Sequence, residues 1–135
     1  MRTLLCALMA MLAVGLVAKF TVADEQKDAA AKQSITGILI DQHCGEMMMS
    51  KDDPEAAAAD HPKSCCTAEA CAASGYSVIS GKQMLKFDDN GNKLAKDFLA
   101  KTDMEKDLHV TVEGTVTDDK IAVTSLTAAP PTTQP

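Results

Sequence analysis

From Leu108 to Thr127 the chain runs with a period of two. Leu108, Val110, Val112, Gly114 and Val116 alternate with His109, Thr111, Glu113, Thr115 and Thr117. An apolar face opposite a polar one at this spacing is the pattern of a half-buried strand. Asp118-Asp119 is the turn, and Lys120 to Thr127 returns with Ile121 and Val123 on one face; Leu126 breaks the alternation as a bulge would. This hairpin is the clearest strand signal in the chain, and it makes the fold β-rich.

Three further strands are expected. Ser34 to Asp41, SITGILID, is rich in β-branched residues, with Gly37 allowing a bend or close packing. Tyr76 to Ser80 and Gln83 to Asp88 flank Gly81-Lys82, a workable hairpin turn. Asp88-Asp89-Asn90-Gly91-Asn92 reads as a turn, after which Leu94, Ala95, Phe98 and Leu99 recur at helical spacing through Lys101. Thr102-Asp103-Met104-Glu105 matches a capping box and predicts a further brief helical turn. Asp52-Asp53-Pro54-Glu55 supplies a cap, a first-turn proline and early acids for a short helix over Ala56 to Ala59, which His61-Pro62 stops. The expected architecture is mainly β: a small OB-like five-stranded barrel, or a curled sheet of the same elements. One helix lies between strands 3 and 4, and a disulfide-stapled Cys-rich loop follows strand 1.

The ends bound the domain. Arg2 precedes an apolar run from Leu4 to Ala18, and Thr21-Val22-Ala23 places small residues three and one before a cut, so 1–23 is expected to be a cleaved signal peptide. Fifteen apolar residues fall short of the roughly 20 that cross a bilayer, so no membrane span is expected after cleavage. Residues 24–33 read as a mobile spacer, 34–127 as the OB-like domain, and 128–135, with three prolines in eight residues, as a disordered tail. Cleavage takes Arg2 and Lys19 and no acids, leaving eleven lysines against nineteen acids, a net charge of −8 with no arginine. Without clustered Lys and Arg, nucleic acid is excluded as a partner.

The succession TGILID, a Cys-bearing loop, CAASGYSVISGK, LKFDDNGN, a helix, and VTVEGTVTDDKIAVTSL resembles a group of small exported bacterial proteins of unassigned function, over about Ile35 to Leu126. The closing VEGTV…IAVTSL hairpin is similar to the end of bacterial OB-fold families. The resemblance implies a fold and no activity.

One segment concentrates chemistry. His43, Cys44, Met47 to Met49, His61, Cys65, Cys66 and Cys71 fall within twenty-nine residues. In an exported chain, periplasmic or extracellular, the first expectation is two disulfides, Cys44 with Cys65 or Cys66 and Cys71 with the other, each worth roughly 2–4 kcal/mol. Pairing the adjacent Cys65 and Cys66 would strain the peptide between them. The alternative is a copper or zinc site drawn from His43, Cys44, His61, Cys65, Cys66 and Cys71, ligand types that suit soft metals. The spacing C-x20-C-C-x4-C has no C-x2-C knuckle and no C-x-x-C-H haem motif. His43, His61 and especially His109, on the polar face of its strand, read more readily as surface residues than as ligands.

Enzyme signatures are absent: the chain has no G-x-S-x-G, no phosphate-cradling G-x-x-x-x-G-K and no H-E-x-x-H. A thiol-disulfide catalyst would use C-x-x-C at a helix start, which Cys66-x4-Cys71 does not provide. Asp88, Asn90 and Asn92 have calcium-loop spacing, but Lys93 and Leu99 stand where such a loop needs Gly and Glu, so they read as the turn into the helix. The expected function is therefore a non-enzymatic, cofactor-free binding or structural module of the cell envelope. Its partner would be an envelope protein, a peptide or a glycan, with soft-metal binding as the alternative.

Overall fold

The computed structural model describes residues 31–130. The expected signal peptide, and the spacer and tail apart from 31–33 and 128–130, lie outside the described residues. Five strands form one mixed sheet: β1 (Lys32–Asp41), β2 (Tyr76–Ser80), β3 (Gln83–Phe87), β4 (His109–Thr117) and β5 (Lys120–Ala128). β1 pairs antiparallel with β2 and with β4, β2 with β3, and β4 with β5. β3 meets β5 in parallel over two residue pairs, Lys86↔Lys120 and Phe87↔Ile121, so the order β1-β2-β3-β5-β4 leads back to β1. Leu39, Val78, Leu85, Val110, Val112 and Ile121 share the face that this sheet wraps and are buried in its core, while Ile38, Ile40 and Ile79 are buried on the opposite face.

Gly37 is where β1 touches two partners, Val110 on one side and the β2 end near Ile79 on the other. A Cβ there would overlap the Ile79 carbonyl, which is the close packing anticipated for this glycine. At the Gly81-Lys82 turn Gly81 takes φ +58°, a conformation that glycine adopts without a steric penalty.

Helix α5 (Asp89–Lys101) joins β3 to β4. The residues read as a turn, Asp89 to Asn92, form its first turn. Asp88 caps the helix by accepting from the Gly91 amide at 2.9 Å, and the same oxygen accepts from the Val123 amide at 3.1 Å. The Asn90 side chain donates to the Val123 carbonyl, and the Asn92 oxygen accepts from the Tyr76 amide. All three calcium-spaced side chains are thus committed to holding α5 on the sheet.

The segment between β1 and β2 folds as four short helices where one was expected: α1 (Gln42–Met48), α2 (Pro54–Ala59), α3 (Lys63–Cys66) and α4 (Glu69–Ala73). Each has seven residues or fewer, too short for apolar periodicity to register in a sequence window. Backbone and side-chain hydrogen bonds close the insert at its base. The Gln42 amide donates to the Gly75 carbonyl at 2.9 Å, the Gln42 side chain donates to the Tyr76 carbonyl, and the His43 amide donates to the Ser74 hydroxyl.

Several expectations are corrected. Thr102 to Glu105 form no helix; Lys63 Nζ donates to the Thr102 carbonyl, the Lys63 amide donates to the Glu105 carbonyl, and the Asp107 amide donates to the Ala59 carbonyl. The loop backbone is spent on clamping the insert, which outweighs the capping-box preference. His109 is buried, 6% exposed, because α2 and this loop cover its face of β4; Asp107 lies 2.7 Å from its Nδ1 and Glu55 3.8 Å from its Nε2. The bulge falls at Thr124 rather than Leu126, since Glu113 faces Ser125 while Gly114 faces Val123. At the ends, Lys32 and Gln33 belong to β1 rather than to a spacer, and Ala128 belongs to β5 rather than to the tail. The Ala129 amide still donates to His109, because the prolines that would end such bonding begin only at Pro130.

Tyr76 ties the insert to the sheet. It is buried, and its hydroxyl donates to the Cys66 carbonyl at 3.1 Å. Tyr76→Phe leaves that carbonyl without its partner, and the expected loss is about 1–3 kcal/mol in a denaturant melt. A loss below about 0.5 kcal/mol would show that the carbonyl finds another donor.

Candidate metal centre

The site is built where β1 ends. Asp41, the last residue of the strand, caps α1: its Oδ1 accepts from the Cys44 amide at 2.9 Å. An Asp at this position satisfies an amide that the helix cannot, and it fixes Cys44 in the first turn. Asp53 caps α2 in the same way and Pro54 starts it. The helix stops before His61-Pro62, because a residue preceding proline is held out of the helical region. The Pro62 carbonyl then accepts from the Cys65 and Cys66 amides, opening α3. Thr67 and Ala68 separate α3 from α4, which carries Cys71.

These turns bring together residues far apart in sequence. The sulfurs of Cys44, Cys65 and Cys71 all lie within 4.8 Å of one another, and Asp41, Cys44 and His61 form a second triad of ligand atoms within the same limit. Cys44 belongs to both. Asp41 is fully buried and the His61 side chain is 10% exposed, with Oδ2 and Nε2 3.5 Å apart. Neither of these atoms has a hydrogen-bond partner. A buried carboxylate oxygen and imidazole nitrogen with only this loose contact to each other, and no hydrogen bond, are costly unless something more closely pairs with them.

No disulfide joins the four cysteines among the described residues. The nearest pair, Cys44 and Cys65, has sulfurs 4.0 Å apart, against about 2.05 Å in a disulfide. Burial holds the Cys44 thiol well above the ordinary thiol range, helped by the Asp41 carboxylate and the neighbouring Cys65 and Cys71 sulfurs. Cys71 is raised by desolvation first and then by the Asp41 charge. Burial pushes Cys66 up to about 11, with the Asp41 backbone amide pulling the other way. Thiols shifted in this direction are poor nucleophiles at neutral pH, the opposite of what thiol-disulfide catalysis uses.

Of the six sequence candidates, Cys44, Cys65, Cys71 and His61 converge. His43 is exposed and joins neither triad, and Cys66 is buried outside both. Asp41 was missed. Its signal was legible as an acid closing an apolar strand three residues before Cys44, the spacing of a cap. Met48 and Met49 pack against the core while Met47 is exposed.

No protein-family model, curated protein or solved structure matches the chain. Among the described residues no helix is long and apolar enough to cross a membrane.

Proposed function

We propose that the chain is a small OB-like module whose helical insert binds a thiophilic metal ion, of the Cu(I) or Zn(II) class, through Cys44, Cys65 and Cys71. The observation that carries this reading is the convergence of three thiols from three separate helices. Thiolate sulfur selects these ions over hard cations, and three such ligands satisfy trigonal Cu(I) or leave Zn(II) one further position. The OB-like reading is supported by the strand order, the parallel β3–β5 pairing and the helix between β3 and β4. With a signal peptide at 1–23 the module works outside the cytoplasm as a non-enzymatic component of the envelope.

A second reading, a structural staple, is favoured by the 4.0 Å approach of Cys44 and Cys65. A bond between that pair would remove two of the three ligands.

The two separate on protein recovered from the exported fraction, alkylated without reduction and weighed by native mass spectrometry. The metal reading expects bound copper or zinc, thiols shielded from alkylation until a chelator is added, and unchanged binding in Cys66→Ser. A Cys44–Cys65 disulfide in the recovered protein, with no metal taken up after anaerobic reduction, would overturn it. Ion at a hundred times its Kd is expected to add about 2.7 kcal/mol to stability.

A further inference from the structure

We propose that the insert holds two ions rather than one, with the Cys44 thiolate bridging the thiol cluster to a second site formed by Asp41 and His61, and that both positions take a borderline divalent ion of the Zn(II) class. This rests on the thiol cluster being a metal site.

The fold leaves two buried atoms of the insert's base without a hydrogen bond. Asp41 Oδ2 and His61 Nε2 are buried, make no hydrogen bond and face only each other at 3.5 Å, and with the Cys44 sulfur they fall within 4.8 Å of one another. A tetrahedral ion with bonds of about 2.0–2.3 Å holds its ligand atoms about 3.3–3.8 Å apart, so a modest contraction closes the triad. The other Asp41 oxygen keeps its bond to the Cys44 amide, which orients the carboxylate as outer partners orient metal ligands elsewhere.

Ligand chemistry separates the two positions. Carboxylate, imidazole and a single thiolate are a set for Zn(II), whereas Cu(I) prefers sulfur. Charge favours two ions as well. Three thiolates and one carboxylate carry four negative charges in a pocket where Asp41 and Cys44 are buried and Cys65 and Cys71 half-buried; two divalent cations balance them, and a single ion of either charge leaves an excess that the buried part disfavours. Thiolate sulfur has lone pairs enough to bind two ions, and Cys44 is the one residue common to both triads.

The test uses reduced protein from cells expressing the full chain, titrated anaerobically with Zn(II) against a competing chelator, with native mass spectrometry to count ions. Wild type is expected to take two. Asp41→Asn, which preserves the volume and the cap to Cys44, and His61→Gln are each expected to take one, with circular dichroism confirming the fold. Co(II) substitution gives a second readout, the visible absorbance reaching its plateau at one equivalent in both variants against two in wild type. Saturation of wild type at one ion, or two ions retained in Asp41→Asn and His61→Gln, overturns the two-ion site while leaving the thiol site standing. No Zn(II) uptake by wild type overturns the two-ion site, and no uptake of Cu(I) in a parallel anaerobic titration overturns the thiol site as well.

Discussion

Cys44→Ser is expected to remove metal binding outright, with a loss of affinity well beyond the roughly 10–100-fold that follows loss of an outer hydrogen-bond partner. Cys44 is the only side chain shared by both ligand triads. Serine keeps nearly the same shape, and the cap from Asp41 uses the Cys44 backbone amide, so the helix start survives the change. Cys65→Ser and Cys71→Ser each remove one ligand of the thiol triad and leave the Asp41–Cys44–His61 triad complete, so each is expected to weaken binding less than Cys44→Ser. Competition with a chromophoric chelator measures the order. Equal effects from all three would mean that no cysteine is shared, and unaltered binding in Cys44→Ser would place the ion elsewhere.

Gly37→Ala is expected to be among the most damaging single-methyl substitutions in the sheet. The added carbon would overlap the Ile79 carbonyl, a backbone group within the β1–β2 pairing that cannot swing aside as a side chain tip would. Overpacking usually costs about 1–3 kcal/mol, and a backbone obstacle puts this case at the upper end. A loss of about 3 kcal/mol lowers the midpoint of a thermal melt by on the order of 10–20 °C in a domain of this size. Gly81→Ala is the control. It has open space around it and φ +58°, so its expected loss is only the roughly 1–2 kcal/mol of a left-handed alanine. A Gly81→Ala loss equal to that of Gly37→Ala would remove strand crowding as the cause. Because β1 carries Asp41 at its end, Gly37→Ala is also expected to weaken metal uptake, which links sheet packing to the site.

Much of the frame was legible because strand and helix periods are local. The alternation over 108–117, the Asp118-Asp119 turn and the spacing of Leu94, Ala95, Phe98 and Leu99 each depend on neighbours within a few positions, and β4, β5 and α5 appear within one to five residues of their expected bounds. The cysteines were identifiable as the place where chemistry concentrates, for the same reason. Short helices escaped this reading, since α3 and α4 have only four and five residues and depend on Pro62 and Gly75 more than on any apolar stripe.

The amino-acid sequence by itself determined where strands run, where they turn, and that sulfur and imidazole crowd one segment after the first strand. Only the tertiary structure decided which of those groups meet. Cys44, Cys65 and Cys71 converge while Cys66, adjacent to Cys65, does not, and Asp41, which looked like the end of a strand, stands beside His61, twenty positions further along the chain. His109 stays on the polar face of its strand and is buried because α2 and the preceding loop cover that face, which its own strand pattern could not reveal. Periodicity says which face of an element is apolar; it carries no information about which other element will cover that face. The pairing of distant helices and loops sets that, and with it the position of every ligand atom.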